Sequence, residues 1–585
     1  MPTPFDPIIS ENFNGGEVTA VEGVLLAPNQ LQEAKNVRFK LGGGFTNRPG
    51  FFEKVMANFI GIGASGIQGM YSNDSEIYIA VNGKIFVAIE DVTDGFELLT
   101  GLNTTADVEF LTFQGDIYVM NGIDFPRRIA RTIIATALIA AVSATVDVKS
   151  GQGWRFTNTG TIRVISLLGF DDITYTGKAN DTLTLTAATV SFSHPVGSLI
   201  YQITTLSSAP KIGFGAEFLN TWWGAGNPGQ TGQTYQGNTL FYSRGATGVN
   251  PEYFYDFAGG GAGYIPVGDK DDIMGLIKTK TYLLILKKTS IYYCSGFNSS
   301  AIPVIQPLTD SYGTNGKRSF AVVGDQIVTF TGKSIKEIGE KEGLNNSVPS
   351  IDPQFDDKIF NKLKALNEDQ FDSVLHYNPD QKLMKLTAKR GSLDVGITLD
   401  TNISEKPWSE DTNKPMACAV NYKGETFWGS NSEPKIFQDE VGYSDNGVGI
   451  RSFVRLADFN AKSSRLSKYF KYQYLYGLLG ENTIVTVKIY FDDVLVQQYT
   501  LTDSLITPAG GSPIGRILIG GGIGVSTENA TLGYPFEIEK LLKKRRDTRK
   551  MSVEFIADGE GQVFEIKGQE LNGYYSSKFD RKIRS

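Results

Sequence analysis

Glu76-Ile77-Tyr78-Ile79-Ala80, turned by Asn82-Gly83-Lys84 into Ile85-Phe86-Val87, is the stretch whose reading decides the fold. Asn-Gly between two apolar, β-branched and aromatic runs is a hairpin signal, because both residues accept positive φ. The theme returns at Asp116-Ile117-Tyr118-Val119, Thr239-Leu240-Phe241-Tyr242 and Thr281-Tyr282-Leu283-Leu284. Looser copies follow at Gln326-Ile327-Val328, Lys382-Leu383-Met384 and Glu425-Thr426-Phe427. Positions equivalent to Ile77 lie about 40, 123, 42, 45, 56 and 43 residues apart, a near-constant period with one large gap. A hairpin cannot bury its apolar face alone, and units of this length stack radially into a β-propeller. The copies predict an all-β chain with a propeller of about six to eight blades.

Outward from the repeats, residues 1–55 read as lead-in strands, with Gly42-Gly43-Gly44 and Pro49-Gly50 marking tight turns. Residues 56–134 form a first propeller part. The gap, 135–207, holds runs of strict period two such as Asp172-Ile173-Thr174-Tyr175-Thr176 and Asp181-Thr182-Leu183-Thr184-Leu185. They predict a small β-domain inserted in a surface loop. A second propeller part covers 208–447, its longest spacing coinciding with a helical insertion near 351–372. From 448 to 585 the period stops, and Ile484–Phe491, Met551–Phe555 and Gln562–Ile566 predict a β-sandwich-like C-terminal domain.

With 585 residues the chain exceeds one core, and 41% hydrophobic content suffices for globular packing. A net charge of −7 excludes a global electrostatic nucleic-acid binder. The two cysteines, Cys294 and Cys418, lie too far apart in sequence for a disulfide framework or a metal knuckle. No basic-then-apolar leader opens the sequence, and the longest apolar tract, Ile133–Val142, is too short to span a bilayer. A soluble protein made in a reducing cytoplasm is expected.

Catalytic material is sparse. The two histidines, His194 and His376, fall in different expected domains and read as incidental. Gly332-Lys333-Ser334 lacks the upstream Gly of a phosphate loop and joins two strands. Asp269-Lys270-Asp271-Asp272 has no calcium-loop spacing and reads as a solvated turn. No catalytic residue, cofactor or metal is expected. Two stretches are interface candidates. Lys543, Lys544, Arg545 and Arg546, within a basic run from Lys540 to Lys550, could meet DNA phosphates or, the preferred reading in an acidic chain, an acidic neighbouring subunit. Trp222 and Trp223 should point to opposite sides of a strand, one into the core and one outward to a partner or sugar.

Several stretches together carry a resemblance. Glu33-Ala34-Lys35-Asn36-Val37-Arg38-Phe39 runs into Thr46-Asn47-Arg48-Pro49-Gly50-Phe51. Thr112–Gly122 is followed by Phe125-Pro126-Arg127-Arg128, and Leu240–Arg244 by Asn250-Pro251-Glu252-Tyr253-Phe254. Ile265–Ile273 precedes Leu284–Tyr292. In these the chain resembles the tail nozzle (stabilisation) proteins of short-tailed bacteriophages, over about two-thirds of its length. The resemblance implies a structural virion protein forming a homohexameric ring at the distal end of the tail, below the portal and adaptor. Such a ring holds genomic DNA in a conduit until infection, without sequence-specific binding, and supports fibres or spikes. It would be assembled in the host cytoplasm and could meet the host surface. The alternative readings are a receptor- or glycan-binding propeller module and, behind it, a propeller glycosidase.

Overall fold

The computed structural model describes the chain except residues 1–3, 57–61, 64, 74, 90–94, 167, 187–189, 228–236, 269–270, 343–346, 353–355, 367–372, 461–466, 503–533, 544–547 and 576–585. The opening hairpin forms as its sequence dictates: Asn82 and Gly83 take φ of 48° and 72°, and Glu76–Val81 pairs with Lys84–Ile89. It is the centre of a four-stranded antiparallel meander completed by Ile67–Ser72 and Gly95–Leu99.

Seven such four-stranded units can be traced among the described strands, and the fold is a β-propeller. Their first strands begin at Ile67, Glu109, Phe214, Ile273, Phe320, Val374 and Met416. These strands face one another around an axis, and Met416–Tyr422 packs on Ile67–Ser72 to close the circle. The seventh unit takes Met416–Tyr422, Glu425–Ser430 and Ile436–Asp439 from late in the chain, and its outer strand Phe51–Lys54 from early in it. Closure by a strand from the other end of the chain makes the ring depend on both ends at once.

The copy at Thr239–Tyr242 proves out of phase. It is the third strand of its unit, whose second strand is Thr221–Ala225. Both inner strands of a unit are buried on two faces, so their apolar runs look alike in sequence. The gap insert is also not a separate sheet. Its strands Thr145–Asp147, Gly160–Ser166, Gly169–Ala179 and Thr182–Leu185 extend the second unit edgewise, through pairing of Gly160–Ser166 with Leu199–Thr205. Leu199–Thr205, expected inside the insert, is that unit's own fourth strand, paired with Arg127–Ile133. An open blade edge offers unpaired N–H and C=O groups to whatever follows.

The expected helical insertion contracts. Ser347–Asp352 is the outer strand of the fifth unit, because its backbone pairs with Glu337–Glu342. Helix is confined to Asp357–Ile359 and Phe360–Lys364, while 353–355 and 367–372 lie outside the described residues. Lys362 of this helix pairs with Glu17 Oε1 at 2.6 Å and Glu410 Oε2 at 2.9 Å.

The largest correction concerns the two ends. The lead-in is not a unit of its own but half-shared between sandwich and propeller. Val37–Phe39, Phe45–Asn47 and Ile8–Ser10 join Phe564–Tyr575, Lys468–Leu479 and Tyr534–Leu541 in one sheet. Gln30–Lys35 joins Val448–Leu456, Met551–Gly559, Ile484–Phe491 and Val494–Thr502 in the other. One core unites them: Phe13, Leu31, Val37 and Phe45 from the start pack with Phe491, Phe555, Phe564 and Leu571 from the end. Phe45 meets Phe13 at 5.1 Å and Phe555 at 5.8 Å, edge to face.

Candidate functional site

The first strands of the units enclose an axial channel, and one side chain crosses it. Arg318, just before the fifth unit's first strand, is half-buried against four other units. Its Nε donates to Glu109 Oε1 at 2.7 Å, and Nη1 donates to Ala417 O at 3.0 Å, with Asp107 Oδ1 3.5 Å away. Nη2 donates to Gln68 O at 2.6 Å and Val108 O at 3.1 Å. A guanidinium has five N–H donors, and five acceptors from three units converge on it. Its own carbonyl accepts from Leu375 N–H in the sixth unit. Arg318 thereby ties five units together at the axis.

A cavity of about 350 Å³ beside Arg318 is lined by Ser65, Gln68, Thr105, Asp107, Lys317 and Asn431. Another of about 310 Å³, also lined by Arg318, is bounded by Met70, Glu109, Phe320, Leu375, His376 and Cys418. Burial pushes the Cys418 thiol up to about 12, so it stays protonated. Burial likewise pushes His376 down to about 4, and its Nε2 lies 2.9 Å from Asn421 Oδ1. Neither is a charged nucleophile or acid at neutral pH.

The second histidine sits in a Ser–His–Asp cluster inside the insert. His194 is fully buried, with Nδ1 2.9 Å from Ser166 Oγ and Nε2 3.0 Å from Asp171 Oδ2. Burial opposes ionisation of Asp171, but the Phe192 and Ser191 N–H groups and His194 hold its carboxyl below the usual range. One imidazole thus links the Asp171 carboxylate and the Ser166 hydroxyl. The cluster ties the 191–194 segment to the Gly160–Ala179 hairpin. Sequence distance had made His194 look incidental; Ser166, Asp171 and His194 meet only through the pairing of the insert.

Both tryptophans are buried, which removes them as interface candidates within this chain. Trp222 stacks over Phe254 at 5.9 Å between the second and third units, and Trp223 packs on Phe297 at 5.3 Å towards the fourth. Adjacent residues do point to opposite faces, but in a propeller each face of a unit meets a neighbouring unit. Of the basic run, Lys543 is exposed, and Lys544, Arg545 and Arg546 lie outside the described residues. Asp271 accepts from the Thr289 N–H at 2.9 Å, while Asp269 and Lys270 lie outside the described residues. No group of His, Cys, Asp and Glu fit to hold a metal occurs among the described residues.

The residues that carried the resemblance occupy a second charged centre, between propeller and sandwich. Arg38 is bidentate to Asp411, at 2.9 and 2.7 Å, and reaches Glu440 at 2.6 Å. Arg48, fully buried, holds Asp445 through both Nη atoms and donates from Nε to Asn36 Oδ1 at 2.9 Å. Lys385 bridges Asp439 at 2.7 Å and Glu440 at 2.6 Å, and Lys414 reaches Asp439 at 2.8 Å. Four largely buried cations thus face four carboxylates, and a cavity of about 200 Å³ reaches Arg38 and Glu440. Burial alone would raise Asp411, but Arg38 and Lys414 hold it well below the usual range. Pro49-Gly50 follows because a Cβ at Gly50 would stand 1.8 Å from Ser444 O. A smaller knot repeats the theme: Arg128 pairs with buried Asp116 and lies 5.0 Å from the Tyr255 ring centre. Arg318, Asp411, Asp439 and Glu440 escaped sequence reasoning, since nothing local distinguishes a buried charge from a surface one.

No protein-family model and no curated protein matches this sequence. Among solved structures, the chain is similar to the WD40 domain of Neurospora crassa Pan2, at TM-score 0.28 and 10% identity over 67% of this chain and 95% of that one. It is also similar to YCF48, at TM-score 0.32 and 7% identity over 67% and 97%. An exo-β-1,3-galactanase of Phanerochaete chrysosporium aligns at TM-score 0.20 and 11% identity over 90% and 100%. These likenesses are too distant to carry any argument about activity.

Proposed function

We propose that this chain is a structural protein of a bacteriophage tail that acts by assembling into a ring, hexameric in the reading the resemblance implies. The carrying observation is that Arg38 and Arg48, at the heart of the resembling motif, weld propeller to sandwich through a buried charge network. A motif spent on rigidity suits a load-bearing building block. The axis supports the same reading: Arg318 bonds to strands of other units there, so this reading puts the DNA conduit between copies and not through one propeller. Analytical ultracentrifugation and cryo-electron microscopy of the purified chain test this. A closed ring of six copies is expected. A chain that stays monomeric at high concentration, and is absent from purified virions, overturns it. Selective glycan binding by that monomer would favour the receptor-binding alternative instead.

A further inference from the structure

The sandwich sheet built from Phe564–Tyr575, Lys468–Leu479 and Tyr534–Leu541 has one face on the core and one face outward. At its Val37–Asn47 end the outward face is covered by the propeller, through Arg38. At the other end it carries a ladder of half-buried tyrosines, Tyr472, Tyr474 and Tyr476, along one strand. Glutamates flank the ladder on both sides. Tyr474 stands opposite Glu539 in one neighbouring strand and Glu570 in the other, and Tyr476 opposite Glu537. Glu537 and Glu539 are exposed, as are Leu541 at 60% and Ile9 at 50%.

Aromatic faces beside carboxylates select a cation-bearing partner. The chain already demonstrates that preference: Lys471 Nζ lies 4.6 Å from the Tyr472 ring centre and 6.0 Å from that of Tyr574. The densest basic run, Lys540 to Lys550, begins where the edge strand of this same sheet ends. Its described flanks are tied to the opposite sheet. Lys543 N–H donates to Gln497 Oε1 at 2.8 Å, and Arg549 N–H to Asp492 Oδ1 at 2.9 Å. Beyond the edge strand, Lys543 and Arg549 are therefore held at the opposite sheet, away from the tyrosine face of their own chain, while the sequence charge of the run complements that face.

We propose that the tyrosine–glutamate face receives the 540–550 basic run of a second copy of this chain. Two different patches meeting make a head-to-tail contact, which closes into a ring when the rotation allows. The inference rests on the ring reading above and gives it a contact. A synthetic peptide of residues 540–550, titrated by calorimetry into the full chain at low salt, tests it directly. Binding is expected, weakened at least tenfold in a Glu539→Lys/Glu570→Lys variant and by Tyr474→Ala. Equal binding by the reversed face, or no binding to the wild-type chain, overturns the contact. Sedimentation then separates the two readings. Face reversal should abolish assembly, and adding Lys543→Glu and Arg549→Glu to the same chain should restore it. Rings that persist despite the reversed face overturn this contact and leave the ring reading standing. Peptide binding by a chain that never assembles overturns the ring reading and leaves the face as a basic-segment site. Circular dichroism of each variant confirms that the surface changes leave the fold intact.

Discussion

Arg318 does at the scale of one residue what the propeller needs at its axis: one group that bonds carbonyls and a carboxylate from several units at once. Removing it takes the guanidinium from half-buried Glu109 and from the Ala417 and Val108 carbonyls, while exposed Asp107 turns to water and Gln68 O keeps the Val108 N–H. Arg318→Ala should cost about 1–3 kcal/mol, the usual consequence of removing a charged donor from part-buried acceptors, with the exposed Asp107 contributing little. Arg318→Lys should recover little of it, since three donors cannot replace five in a planar fork. Urea denaturation followed by tryptophan fluorescence measures both, and near wild-type stability of the alanine variant would show that Arg318 does not tie the units. His376, further along the channel, adds a pH signature. Its folded value near 4 lies below the 6.5 of the free side chain, so between those values the unfolded chain binds more protons. Stability should fall as pH drops from 6.5 through 4, by at most about 3 kcal/mol. That slope should flatten in His376→Asn, as thermal melts across that range would reveal.

Single elements decide whether the ring closes. Phe51–Lys54 completes the seventh unit only if Pro49-Gly50 lets the chain pass close to Ser444, where Gly50 N–H also donates to Gly442 O at 3.0 Å. Gly50→Ala should therefore loosen the closing strand, at a cost of at least about 2 kcal/mol, because the obstacle is backbone and not a movable side chain. Limited proteolysis should then cut near residues 51–54 faster than in the wild-type chain, and an unchanged pattern would show that closure tolerates the shift. Elements also mark how far the sequence could be read. The Asn82-Gly83 hairpin was legible because its turn chemistry and its apolar alternation are local. The phase of Thr239–Tyr242 was not, since two strands buried on both faces carry the same signal. The tryptophan pair misled for a related reason. Alternation correctly sent Trp222 and Trp223 to opposite faces, yet only the stacking of units reveals that both faces are interior. The charge network was half-legible: Arg38 and Arg48 stood in a motif, whereas Asp411, Asp439, Glu440 and Lys385 are contributed by strands hundreds of residues away.

On the scale of the whole molecule, the chain's first fifty-five residues belong to two bodies at once, and this couples them. Strand Gln30–Lys35 lies in the sandwich and also bridges Lys35 to Glu410 of the sixth unit. Ser444–Asp445 pairs with both Phe51 of the propeller and Val448–Gly449 of the sandwich. Between these backbone ties sit the four cations and four carboxylates, largely buried, and the pairs that Arg38 and Arg48 make with Asp411, Glu440 and Asp445 are realised only while propeller and sandwich stay docked. Separating the bodies would expose paired charges to water at small cost, but removing one partner while they stay docked leaves its mate buried and unpaired. The wild-type chain should accordingly melt in one calorimetric transition, because neither body keeps its core without the shared N-terminal segment. Arg38→Met should split that transition in two: Asp411 and Glu440 lose their bidentate partner, and undocking becomes the cheapest way to hydrate them. Under this coupling the lower transition should sharpen upward again in an Arg38→Met/Glu440→Gln variant, which removes one of the stranded charges. A single, merely downshifted transition in Arg38→Met would mean that the backbone ties alone couple the two bodies, and that the charge network serves specificity of docking without setting its strength.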